Sequence, residues 1–283
     1  MLGFCALAPI GDGIAKLLGE TVPLLQLLLV RFAAQTVLLA PLSRGGPALT
    51  RRLARLVLIR TILHILGIGA MFLSLRFLPL ADAVAIAFVM PFIMLLLGRF
   101  ALGEEVGGRR LAACAVGFAG VLMVVQPSFA EVGAPALLPL FVALVFALFM
   151  LTTRRIAKEI DAIKLQYVGG LYAVAILAPI ALAGALFDLG PALAFKTPTT
   201  EEALLLGAIG ALGTFAHLLM SWSLRYAPAA SLAPMQYLEI PFATLVGWAM
   251  FGDLPDGLAA VGIAVTVAAG LYVIARERAA SRA

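Results

Sequence analysis

Residues 75–79 read Leu-Arg-Phe-Leu-Pro, and 149 positions later residues 224–228 read Leu-Arg-Tyr-Ala-Pro. Apolar residues match by chance in a hydrophobic chain, but an ordered Arg-x-x-Pro pair does so rarely. Further matches in the same order surround it, and they extend the similarity over much of each half. They are Met71 with Met220, Ser74 with Ser223, Pro91-Phe92 with Pro241-Phe242, Gly103 with Gly252, and Gly108 with Gly257. The sequence therefore contains an internal repeat.

The composition around this repeat is that of a membrane protein. The 283 residues are 63% hydrophobic and 12% charged, with a mean hydropathy of +1.10. This excludes a soluble domain, a collagen, a disordered chain and a nucleic-acid-binding protein. Runs of about 20 apolar residues predict membrane-spanning helices, since backbone polar groups in lipid must pair within the segment. Ten such spans are predicted, at 3–19, 22–42, 56–75, 81–102, 109–127, 134–153, 165–187, 202–223, 229–251 and 257–275.

The repeat divides the ten spans into two units of five. We predict a first five-helix unit at 1–127, a second at 134–275, and a cytoplasmic tail at 276–283. Because five is odd, the second unit enters the membrane from the opposite face. The predicted fold is an all-α integral membrane protein with two inverted repeats, a plan common among secondary transporters, which place the substrate site between the halves.

The basic residues predict the orientation of the chain. With the loop after the second span assigned to the cytoplasm, 16 of the 20 Lys and Arg residues, Arg60 among them, fall on that side. Arg76 and Lys196 fall on the other side, and Lys16 and Arg31 lie within spans. Cytoplasmic loops are enriched in Lys and Arg, so both termini are predicted to be cytoplasmic. No cleavable signal peptide is predicted, because no basic residue precedes Lys16.

Two blocks of sequence resemble a known transporter family. Leu78-Pro79-Leu80-Ala81-Asp82-Ala83, Pro91, Leu102-Gly103-Glu104-Glu105 and Gly117 to Val121 resemble one EamA half-repeat. Ala230 to Pro241, Phe251-Gly252-Asp253-Leu254-Pro255-Asp256 and Gly270 resemble its partner, with Gly-Asp in place of the common Gly-Glu. Two such units are the plan of the drug/metabolite transporter superfamily.

The resemblance implies a metabolite carrier of the bacterial inner membrane. It implies a central cavity lined by spans 1, 3, 4, 6, 8 and 9. The family's substrates include amino acids, vitamins such as riboflavin, and nucleoside- or S-adenosylmethionine-like solutes. Neither the substrate nor the direction of transport follows from the resemblance.

Ionisable residues inside apolar spans are candidates for substrate binding or coupling, because a charge at that depth is costly. Asp12 and Lys16 are four residues apart, which predicts one shared helix face. This pair either neutralises itself or lines the cavity, with Gly11 and Gly13 loosening the helix as a gate. Arg31 either clamps another helix or binds a substrate carboxylate or phosphate in a bidentate manner.

Glu239 is the residue we favour for substrate or proton coupling, with Gln236 and Tyr237 beside it as further candidates. The alternative is that Glu239 pairs with Arg31 or Lys16. Pro91, Pro234 and Pro241 are predicted hinge positions, because proline removes a backbone donor and bends a helix. His64 and His217 were each expected to be solitary core histidines.

The sequence predicts neither catalysis nor a cofactor. It contains no His-Glu-x-x-His metal pair, no Gly-x-Ser-x-Gly elbow and no phosphate loop. A secondary transporter is the favoured function, with small-molecule solute, lipid and protons as partners. The alternative is a channel-like pore or a non-transporting receptor or assembly protein. A homodimer is left open, because Gly117, Gly120 and Gly270 permit close helix contacts either within a chain or between two.

Overall fold

The computed structural model describes residues 1–43, 49–102, 107–187, 190, 193–227, 232–255 and 257–280. In these ranges the chain is helical and contains no strand. Eleven α-helices and two short 3₁₀ segments follow one another along the described chain. They are α1 (Leu2–Gly19), α2 (Leu24–Leu39), α3 (Arg51–Ser74), α4 (Leu80–Ala87), α5 (Met90–Leu102), α6 (Gly108–Val132), a 3₁₀ turn at Ala134–Leu137, α7 (Leu138–Ile156), α8 (Ala162–Phe187), α9 (Thr200–Tyr226), a 3₁₀ segment at Ala233–Leu238, α10 (Glu239–Phe251) and α11 (Gly257–Ala280).

Five of the described helices are long and apolar enough to cross a bilayer, namely α1, α3, α8, α9, and α7 with the 3₁₀ turn before it. Shorter apolar stretches occupy 24–39, 80–94, 111–124 and 257–272. With α4 and α5 taken as one span, and the second 3₁₀ segment with α10 as another, the described chain forms the ten predicted membrane segments. The all-α membrane fold is thus confirmed.

The fourth and ninth segments are discontinuous, where the sequence predicted continuous helices over 81–102 and 229–251. The fourth breaks at Phe88 and Val89, just before Pro91. The ninth begins as a 3₁₀ segment containing Pro234 and becomes α-helical at Glu239, two residues before Pro241. Proline clashes with the carbonyl four residues earlier and lacks an N–H, so helical hydrogen bonding is interrupted on its N-terminal side.

Helix packing follows the symmetry of two inverted repeats. Segments one to five correspond to segments six to ten, so α1 corresponds to α7, α2 to α8, α3 to α9, and α6 to α11. The contact of α1 with α9 then has its counterpart in α7 with α3, and that of α2 with α9 in α8 with α3. Exchanging the repeats maps the contact of α2 with α8 onto itself, and it does the same for the contact of α6 with α11. Both contacts are formed. These helix contacts are the ones that two five-helix repeats related by a pseudo-twofold axis would form.

The glycines of α6 and α11 make close helix contacts within one chain. A methyl group at Gly120 would lie 2.6 Å from the carbonyl oxygen of Gly262, so the two backbones are in contact there. Thr266 Oγ1 donates to the carbonyl of Gly117 at 3.2 Å across the same interface. Gly270 packs on the Tyr237 ring, where an added methyl would lie 2.7 Å from Cδ2. These small residues bring two helices of one chain together.

Several elements of the resemblance lie outside the described residues. These are the Gly-Glu-Glu of residues 103–105, the first two residues of the second block, 230 and 231, and Asp256. The end of α10 is described: Gly252 adopts φ +72°, a left-handed conformation that favours glycine, and its N–H bonds the carbonyl of Trp248 at 3.0 Å.

Candidate substrate cavity

A cavity of about 80 Å³ lies where the two repeats meet. One water needs roughly 10–15 Å³ by this kind of measure, so the space admits several waters or a small chemical group. Its walls come from α1, α2, α3, α4, α5, α7, α9 and α10. All six spans implied by the resemblance contribute, and α2 adds Arg31. Most of the lining is apolar, including four aromatic rings, which are Phe4, Phe72, Phe88 and Phe146.

Two carboxyl groups line the cavity. Asp12 comes from the middle of α1, and Glu239 is the first residue of α10, with 8% of its surface exposed. Glu239 lies where the 3₁₀ segment continues directly into α10, and its backbone N–H bonds the carbonyl of Gln236. The change from 3₁₀ to α-helix thus sets the position of this carboxyl group.

A basic group also lines the cavity. Arg31 of α2 is 3% exposed, and its Nη2 lies 3.2 Å from Nδ1 of His217. Gly213 makes room for the guanidinium, because a methyl group there would lie 2.7 Å from Arg31 Nε. Nη1 has no hydrogen-bond partner among the described residues. Arg31 therefore has a donor available for an anionic group in the cavity.

His64 and His217 are in ring contact, with their planes tilted by 40°, which contradicts the expectation of two solitary histidines. Their ring centroids are 4.4 Å apart, and Phe149 lies 4.6 Å from His64. The repeat contains a signal for this pair. The two histidines are 153 residues apart, one helical turn from the repeat offset of 149, so they lie near matching positions of α3 and α9.

Lys16 lies apart from the cavity. Its Nζ is 3.0 Å from Asp253 Oδ2 and 4.6 Å from the centre of the Phe251 ring. The predicted pairing of Lys16 with Asp12 is replaced by this ion pair, because the turn after α10 lies against the end of α1. A spacing of four residues gives a shared helix face but does not say which helix lies opposite.

Gln236 and Tyr237 are buried beside the cavity and are not among its lining residues. Gln236 Nε2 lies 2.9 Å from the Met150 sulfur, and Tyr237 is 1% exposed. The Tyr237 ring is 5.6 Å from that of Phe88 and packs against Gly117. Tyr237 thus joins the ninth segment to α6 and α11, whereas the sequence suggested stacking on a substrate.

The predicted hinge residues lie at two kinds of place. Pro91, Pro234 and Pro241 lie at the two helix breaks, with Pro234 in the second 3₁₀ segment. Gly11 and Gly13 lie in α1, which is helical throughout. A methyl group at Gly13 would be 2.8 Å from the Met250 sulfur. Gly13 therefore allows α1 to approach α10 closely, whereas a methyl group at Gly11 would make an ordinary contact, 4.0 Å from Leu212 Cβ.

The chain is similar over its whole length to known transporters. The model of the EamA-like transporter family matches residues 5–126 and 134–276. A riboflavin transporter of Rhizobium johnstonii is 32% identical over 78% of this chain and 70% of its own length. An S-adenosylmethionine uptake transporter of Rickettsia prowazekii is 22% identical over 95% of this chain and 89% of its own. The pseudopaline exporter CntI of Pseudomonas aeruginosa is 27% identical over 96% and 90%.

A solved crystal structure has the same fold, with a TM-score of 0.70 and 21% identity, over 98% of this chain and 96% of the other. The described helices and these similarities define a multi-pass membrane protein of the transporter class. The chain belongs to the EamA-like transporter family.

Proposed function

We propose that the chain is a secondary active transporter that moves a small organic metabolite across the bacterial inner membrane by alternating access, with both termini in the cytoplasm. The observation that carries this proposal is the cavity between the repeats, which is lined by Asp12, Glu239, Arg31 and His217. Inverted repeats provide two related conformations, because exchanging the shapes of the halves opens the opposite side.

The lining favours an amphoteric solute with a flat or apolar body. The carboxyl groups suit a cationic or donor group, Arg31 suits a carboxylate or phosphate, and the aromatic rings suit an unsaturated body. An amino acid, a riboflavin-like vitamin or a nucleoside- or S-adenosylmethionine-like solute meets these requirements. Two of the relatives are named as transporters of riboflavin and of S-adenosylmethionine, and both of these solutes belong to the same group.

Counterflow in proteoliposomes tests transport directly. Vesicles loaded with unlabelled riboflavin, S-adenosylmethionine or an aromatic amino acid are diluted into the same labelled solute. We expect one of them to show saturable uptake that the internal solute accelerates. Absence of trans-stimulated flux across a broad metabolite panel, or ohmic single-channel currents in its place, contradicts the proposal and favours a pore.

Glu239 and Asp12 are proposed to bind the coupling proton, since they are the carboxyl groups that line the cavity. We expect Glu239→Gln to retain exchange of the solute but to lose accumulation driven by a pH gradient, by at least about tenfold. Glu201→Gln, at an exposed position in the first turn of α9, is the matched control and should behave like the wild type. Gradient-driven accumulation that survives in Glu239→Gln removes the coupling role.

A further inference from the structure

Arg60 is the most deeply buried charge that the proposed cavity does not use. It lies nine residues into α3, about 14 Å from the start of that helix at 1.5 Å per residue. Its exposure is 0%, although the basic-residue pattern grouped it with the solvated cytoplasmic residues. A side chain that reached the membrane surface would keep its head group exposed, so surface attraction does not explain this position.

Its guanidinium is only partly satisfied. Nε donates to Thr153 Oγ1 at 2.8 Å, and the group lies 4.4 Å above the ring of Phe149. Nη1 and Nη2 have no acceptor among the described residues, and no described carboxylate forms an ion pair with Arg60. Gly169 of α8 lies beside Nη1, and an added methyl there would make an ordinary contact at 3.4 Å. Two neighbouring donors of a planar fork match one carboxylate or phosphate group.

Arg60 is comparable to Arg31 in chemistry, although the two do not occupy equivalent positions of the repeats. Arg31 is on α2 and lies against Gly213 of α9, while Arg60 is on α3 and lies beside Gly169 of α8. Both belong to the first repeat, and both are buried guanidinium groups with donors that have no acceptor among the described residues.

A continuous series of rings connects the two arginines. From Arg31 the series passes through His217, His64 and Phe149, with contacts of 3.2, 4.4 and 4.6 Å. Beyond Arg60, toward the basic end of the bundle, an apolar cluster closes the helices. Its buried members are Leu53, Val57, Ile156, Ile160 and Leu165. Arg60 thus lies between the histidine pair at the cavity and this apolar cluster.

We propose that Arg60 is a second anion-binding site, which takes the carboxylate or phosphate group of a solute between the cavity and the basic end. Nη1 and Nη2 of Arg60 have no acceptor among the described residues while α3, α7 and α8 are packed together, and they bind the anion when these helices separate. Its role in transport rests on the proposed function, but anion binding itself does not.

Thermal unfolding of the purified protein in a neutral maltoside detergent tests the site, with inorganic phosphate as the probe. Phosphate is titrated from about 0.1 to 10 mM against chloride at matched ionic strength, which limits general salt effects. We expect a saturable rise of the unfolding midpoint of about 3 °C. The rise should persist in Arg31→Met, which removes the other guanidinium that can bind an anion, and it should disappear in the double variant Arg31→Met/Arg60→Met.

Arg52→Met is the matched control, because Arg52 lies on the same helix but at the surface, paired with Glu159 at 2.7 Å. It should keep the response to phosphate. If Arg60→Met does not fold, Arg60→Lys replaces it in the test. Lysine keeps the positive charge but lacks the planar pair of donors, so the apparent affinity for phosphate should fall at least about tenfold.

Three results overturn the proposal. None of them bears on the proposed transport, because the counterflow assay tests that separately. One is a phosphate response that persists in the double variant Arg31→Met/Arg60→Met. Another is the absence of a saturable response in the wild type. The third is a response that phosphatidylglycerol in nanodiscs abolishes, which assigns the site to a lipid headgroup.

Discussion

At the scale of single residues, the ion pair of Lys16 and Asp253 fixes α1 to the turn after α10. The side chains are 21% and 35% exposed, so solvent screens the attraction, and we expect a coupling of about 0.5–1 kcal/mol. Lys16→Glu and Asp253→Lys should each lower the unfolding midpoint, and the double reversal should restore part of the loss. A double-mutant cycle of thermal unfolding at low and high salt measures this.

The pair of Arg52 and Glu159 is the comparison for that cycle, because its side chains are 66% and 42% exposed. We expect a smaller coupling there. If the coupling of Lys16 with Asp253 is zero at low salt, the contact does not hold α1 in place.

The residues of the cavity divide into those that sequence reasoning could reach and those that it could not. Asp12, Arg31 and Glu239 were recognisable because a charge inside an apolar run is conspicuous. Lys16 and Tyr237 were placed on the cavity by spacing and proximity, yet they face other helices. Arg60 was assigned to the solvated side, since counting charges near a span end does not reveal which way a side chain turns.

At the scale of helices, the fourth and ninth segments illustrate what a hydropathy pattern omits. Both are apolar throughout, so the pattern predicts continuous helices. Pro91 and Pro241 interrupt them at corresponding positions of the two repeats, and the second break sets the position of Glu239 at the start of α10. The prolines were visible in the sequence as hinges, but the length of the 3₁₀ segment depends on packing against neighbouring helices.

The contact between α6 and α11 leads to a prediction at the same scale. Gly120→Ala would push a methyl group into the backbone of Gly262, so the helices have to separate. We expect a loss of about 1–3 kcal/mol in unfolding free energy, the usual cost of overpacking. Gly207→Ala is the matched control, because its added methyl meets nothing within 4 Å, and it should be neutral or stabilising.

Denaturant unfolding of the two glycine variants, followed by helical circular dichroism, provides the comparison. Equal stability of Gly120→Ala and Gly207→Ala would show that the α6–α11 contact is loose enough to accept a methyl group. That result contradicts the close packing that Gly120, Gly262 and Thr266 form.

At the scale of the whole molecule, the two repeats are interleaved. Helices α1, α2, α3 and α6 of the first repeat pack chiefly on α9, α8, α7 and α11 of the second. The sequence predicted two units in opposite orientations, because the repeat and the odd number of spans are properties of the chain. It did not predict that the units share one core, since apolar faces look alike whether they meet within a repeat or across the axis.

This interleaving predicts that a cut between the repeats leaves the fold intact. Gly133 lies between α6 and the 3₁₀ turn before α7, with φ +70°, and a specific protease site inserted there can be cleaved after purification. We expect the two fragments to co-elute in mild detergent, with an unfolding midpoint within a few degrees of the uncut protein. Each fragment taken alone should aggregate, because the helix faces that it buries lie against the other repeat. Fragments that separate in mild detergent, and that each unfold cooperatively, would mean that each repeat has a core of its own.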